Sequence, residues 1–84
     1  MKNRAVSRIH MLSKIKSNIE ELKKMSLKYG TRYTQIKKDY VELHNRNLTD
    51  CSDSQLHAIM IESTNKVDYY ALLINMRLEQ QPGV

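Results

Sequence analysis

Residues 12–43 read LSKIKSNIEELKKMSLKYGTRYTQIKKDYVEL, and this stretch decides the fold. Taken in steps of three and four it gives Leu12, Ile15, Ile19, Leu22, Ser26, Tyr29, Tyr33, Ile36, Tyr40 and Leu43. Only Ser26 departs from an apolar or aromatic residue. An unbroken 3-4 alternation is the seam of a helix that packs lengthwise on other helices, as in a coiled coil. The pattern announces helical packing and names no chemistry.

Lys28-Tyr29-Gly30-Thr31 is the ambiguous point of the seam. Gly30 is a favoured residue just past a helix end, and Thr31 an acceptable N-cap for a following helix. The register nevertheless passes through Gly30 without a slip. One internal Gly costs a helix only about 1 kcal/mol, less than the packing of the whole seam recovers. The register therefore favours a continuous first helix, kinked at most, about 65 Å long at 1.5 Å per residue. A break at Gly30 gives a three-helix bundle instead.

Beyond the seam, Asn45 to Asp53 is a run of turn and capping residues. Ser52-Asp53-Ser54-Gln55 has the spacing of a capping box, with Ser52 as N-cap and Gln55 reaching back. Asp53 then lies in the first turn, where the helix dipole favours it. Ser52-Asp53-Ser54-Gln55-Leu56, opening a helix in a small basic helical chain, resembles the matching stretch of the Hha/YmoA-type nucleoid modulators over these five residues. A capping box alone produces most of that likeness. The charged cluster and Trp-bearing tail of that family have no counterpart here.

The last helix, over about 53–79, is apolar on two sides. Leu56, Ile59, Met60, Ser63, Val67, Tyr70, Ile74 and Leu78 share an arc of about 100°, suited to packing on the first helix. Ala58, Ile61, Tyr69, Leu72 and Met76 form a second stripe on the other side, interrupted by Asn65. A helix apolar on both sides needs cover on both. One neighbour in a short hairpin supplies one cover, so the second stripe is the candidate protein interface. Pro82 closes the segment.

Toward the amino end, Ala5 and Ile9 extend the first seam, while Lys14, Glu21, Lys24 and Lys28 fall on the solvated side. Arg4 and Arg8 project from the seam side, near its open end. The formal charge of +5 is uneven: residues 1–28 hold eight Lys/Arg against Glu20 and Glu21, whereas residues 51–84 carry −2. Arg4, Arg8, Lys14, Lys16, Lys23, Lys24 and Lys28 are accordingly the candidate phosphate-binding residues. No helix-turn-helix, zinc-finger, RNP or GXXG motif accompanies them.

Eighty-four residues make one domain with a thin core, for which association is a natural supplement. An apolar fraction of 40% with 27% charged residues sets the chain apart from disordered ones. The first nineteen residues are basic and acid-free, as in a mitochondrial presequence, but their apolar stripe runs on unbroken through Glu20 and Glu21 to Leu22. Cys51 is the single cysteine, which excludes an intrachain disulfide and fits a reducing compartment such as the cytoplasm. His44, Cys51 and His57 bracket the polar loop; three ligands fall short of a structural zinc set, and a nucleophile pair there lacks an oxyanion turn. The tyrosines and methionines read as packing residues. No catalytic residue, metal or cofactor is expected.

The sequence thus predicts a single all-α domain over residues 1–84, an antiparallel helical hairpin or a three-helix bundle. Its parts are a first helix over about 4–46, continuous or broken at Gly30, a loop over about 46–52 and a last helix over about 53–79. It is expected to dimerise and to be a non-enzymatic regulator, inhibitor or adaptor working by helix-mediated association with a second copy or a protein partner. The alternative is a nucleic-acid-associated regulator that uses the basic first helix. No membrane span is expected.

Overall fold

The computed structural model describes residues 3–29 and 32–79, with side chains over 8–29 and 32–76. Three α-helices make up most of it: α1 (Asn3–Tyr29), α2 (Thr34–His44) and α3 (Asp53–Glu79), with a short 3-10 turn at Leu48–Asp50. None of the described helices is long and apolar enough to cross a membrane.

The first helix does not run on to residue 46. It ends at Tyr29, whose carbonyl accepts the amides of Arg32 at 3.1 Å and Tyr33 at 2.9 Å. Gly30 and Thr31, the expected breaker and N-cap, lie outside the described residues. Tyr33 precedes α2 without a side-chain cap. The reversal pays because α2 then lays Ile36 and Leu43 into the core beside Ile15 and Leu22. Each buried aliphatic side chain contributes about 1.5–3 kcal/mol, and this adds to the about 1 kcal/mol that an internal Gly costs a continuous helix.

At the far end of α2, Asn47 organises the turn into α3. Its Oδ1 accepts the Thr49 amide at 3.3 Å and the Thr49 hydroxyl at 2.7 Å, while its Nδ2 donates to Asp50 at 2.8 Å. The capping box then forms as its spacing predicts: the Gln55 amide donates to Ser52 Oγ at 3.1 Å, and the Ser52 amide to Gln55 Oε1 at 2.8 Å. Two amides that the helix leaves without partners are thereby satisfied.

The direction of α3 follows from what ties it to α1. Arg8 Nη1 donates to Asp53 Oδ1 at 2.7 Å, and Asn18 Nδ2 donates to Ser63 Oγ at 2.8 Å. Both pairs are 45 residues apart in sequence, so α1 and α3 run parallel, with α2 antiparallel between them in the order of the chain. The last helix folds back on α2, and the bundle is up-down-up, 55 Å in its longest dimension.

Both seams face the core. Ile15, Leu22, Ile36 and Leu43 are buried, as are Leu56, Ile59, Ser63, Tyr70 and Ile74 on α3. Leu12, Ile19, Tyr29, Tyr33, Tyr40, Met60 and Val67 pack partly buried against them. The buried stripe of α1 is wider than the seam, taking in Met11 and Asn18, because both α2 and α3 pack on that helix. Ile9 departs from its expected place in the seam and is 67% exposed. The side chains of Ala5 and Leu78 lie outside the described residues.

Candidate interaction surface

The second stripe of α3 lies on the side of the helix away from the core. Ile61 is 46% exposed, Tyr69 61%, Leu72 60% and Met76 46%, and Ala58 and Asn65 are exposed with them. At 100° per residue these six positions fall within about 80° of arc, opposite the buried face. Their spacing is 3-4-4-3-4, a helix-packing seam with no helix on it. A shallow groove of about 710 Å³ opens along this side, bordered by His57, Ala58, Ile61, Glu62, Lys66 and Tyr69.

Behind one edge of the groove lies a buried polar network that joins α2 to α3. Asp39 is buried; its Oδ2 accepts a hydrogen bond from the Tyr70 hydroxyl, and its Oδ1 accepts from Gln35 Nε2 at 3.2 Å and faces Lys66 Nζ at 3.2 Å. Burial pushes the Asp39 carboxyl up, but the hydrogen bonds from Tyr70, Gln35 and Lys66 and the Lys66 charge together outweigh it, leaving Asp39 below its ordinary 3.8. Tyr70 moves the other way. Burial first, then the hydrogen bond to Asp39 and the charges of Asp39 and Tyr69, raise its phenol well above the ordinary 10.0. Tyr70 and Lys66, both part of this network, also line the groove.

A second buried polar set, Asn18 with Ser63 and Thr64, lies between α1 and α3. Asn18 Nδ2 donates to both hydroxyls, at 2.8 and 2.9 Å, and the Ser63 hydroxyl donates to the Met60 carbonyl at 3.0 Å. A buried polar residue whose donors meet partners on the facing helix specifies register between helices. Asn18 and Asp39 are both buried, which the apolar seam does not predict. The signal was present, since Asn18 falls at the 3-4 spacing between Ile15 and Leu22, and Asp39 between Ile36 and Leu43.

The candidate phosphate ligands separate into two groups. Lys14, Lys16, Lys23, Lys24 and Lys28 are exposed on α1. Arg8 is instead held within the chain, by Asp53 and by the carbonyls of Cys51 at 2.9 Å and Thr49 at 3.5 Å. The Arg4 side chain lies outside the described residues. His44 stacks at a tilt on Tyr40, ring centroids 5.4 Å apart, and Cys51 Sγ sits 3.5 Å from the Asn47 carbonyl oxygen. Among the described residues, no three His, Cys, Asp or Glu side chains come together as a metal site.

Comparison of the chain with known protein families, curated proteins and solved structures finds no match to any of them.

Proposed function

We propose that this protein is a small non-enzymatic interaction module, and that the outward stripe of α3 is the surface through which it associates with a second copy of itself. The observation that carries the reading is the stripe itself: four large apolar side chains at helix-seam spacing, exposed on a helix whose other side is already packed. Contiguous apolar surface of that kind marks an interaction site.

The spacing favours a second copy as the partner. Ala58, Ile61, Asn65, Tyr69 and Leu72 follow one another at 3, 4, 4 and 3 residues, so this part of the stripe, without Met76, has the same spacing in both directions about Asn65. An antiparallel pair with its two-fold axis at Asn65 sets Ala58 against Leu72 and Ile61 against Tyr69, small or medium beside large. Asn65 then meets its own copy, amide to amide. A two-fold contact is self-complementary in just this sense. The module would act as a regulator or adaptor in a reducing compartment such as the cytoplasm, a reading that the lone Cys51 supports.

Sedimentation over a concentration series tests the association. The expected result is a reversible monomer–dimer equilibrium, weakened at least about tenfold by Leu72→Glu, since an unpaired charge in an interface core costs upward of 1.4 kcal/mol. Leu72 is exposed in the single chain, so circular dichroism should show unchanged helix content in the variant. A wild-type chain that stays monomeric at every concentration defeats the proposal.

A further inference from the structure

We infer that the corner where α1 turns into α2 binds the phosphate backbone of a nucleic acid. Between Leu22 and Asp39 the chain carries Lys23, Lys24, Lys28, Arg32, Lys37 and Lys38 and no Asp or Glu. All six of these side chains are exposed, and among the described residues none lies within ion-pair distance of a carboxylate. Because α2 folds back on α1, the cations of both helices are gathered around one end of the 55 Å molecule.

The other end is built differently. There Arg8 is held by Asp53, and Arg46 lies 4.0 Å from Glu42. Asp39, the acid nearest the corner in sequence, is turned into the core and occupied by Tyr70 and Lys66, so it does not neutralise the cluster. Like charges left together in this way repel one another, and a polyanion relieves that repulsion while releasing its own counterions.

The form of the cluster narrows the anion. The cations spread over two helices, which suits a string of phosphates better than one small ion. A membrane surface would require an apolar face to bury beside the charges, and the corner offers Leu27, 78% exposed, between Lys24 and Lys28. The aromatic rings of Tyr29 and Tyr33 lie half-buried at the same corner, with the Lys28 ammonium 5.6 Å from the Tyr29 ring centroid. Cations interleaved with aromatic faces are what single-stranded nucleic acid uses. The inference does not depend on the α3 stripe, whose side chains are exposed on a different helix.

Fluorescence anisotropy with a labelled duplex and a single strand of the same sequence tests it, using the full chain. Affinity should fall about 10³-fold between about 50 and about 200 mM salt, as expected for some six phosphate contacts. The triple variant Lys24→Glu/Lys28→Glu/Lys37→Glu should abolish binding, and the milder Lys→Gln set should weaken it in the same direction. A control of equal charge change, Lys14→Glu/Lys16→Glu/Arg46→Glu, should retain most of it. Equal losses in the corner and control variants would assign binding to net charge and overturn the inference. So would absence of binding at low salt, or binding confined to phosphatidylserine vesicles.

Discussion

Asp39 shows how one side chain is kept ionised in a small core. Its removal from water is opposed by three hydrogen-bond donors, one of them cationic, and a buried carboxylate without such partners would instead take up a proton. The pH signs follow from the two directions of shift. Asp39 is depressed, so its contribution to stability is complete above its ordinary 3.8 and is lost as pH falls through its lower folded value. Tyr70 is raised, so its contribution is complete below the ordinary 10.0 and is lost as pH climbs above that value. Tyr70→Phe removes the donor while leaving the carboxylate buried, and urea denaturation at neutral pH should show a loss of about 1–3 kcal/mol. The same variant should flatten the alkaline fall in stability above pH 10.0. Asp39 could be placed on the seam by its spacing from Ile36 and Leu43, but acid residues so placed are ordinarily solvated, and its partners Lys66 and Tyr70 are too distant in sequence to be paired by pattern.

Among the elements, the start of α3 was the most legible, because a capping box is a local bargain between Ser52 and Gln55 that needs no tertiary contact. Ser52→Ala should cost about 1 kcal/mol, measured as a lower thermal midpoint with little change in native helix content. The end of α1 was the least legible. A 3-4 register carries the same residues to the core whether the chain continues or doubles back, so Ile36, Tyr40 and Leu43 look alike in a rod and in a returning helix. What decides is the cover that a short return helix gives to Ile15 and Leu22, and that is a property of three helices together. The parallel run of α1 and α3 was hidden for the same reason: it is set by Arg8 with Asp53 and Asn18 with Ser63, pairs whose members have no local relation.

On the scale of the whole molecule, the two-sided character of α3 was readable in the sequence, since Leu56, Ile59, Val67 and Ile74 repeat on one side and Ala58, Ile61, Leu72 and Met76 on the other. The side that turns inward carries Leu56, Ile59 and Ile74, together with Ser63 and Tyr70, whose polar atoms find partners on α1 and α2. If the outward side pairs two copies, Asn65 at the centre is the residue that fixes their relative direction. Asn65→Leu should then strengthen association while admitting more than one arrangement, seen as tighter sedimentation together with loss of a single set of inter-chain cross-links. The up-down-up path also imposes an order of events on folding. Helices α1 and α2 meet across a turn of a few residues, whereas α3 must close a span of 45 residues before Asn18 finds Ser63, and loop-closure entropy grows with that span. The first two helices should therefore assemble early and the third arrive last, so that amide exchange in α3 reports the earliest opening of the native state.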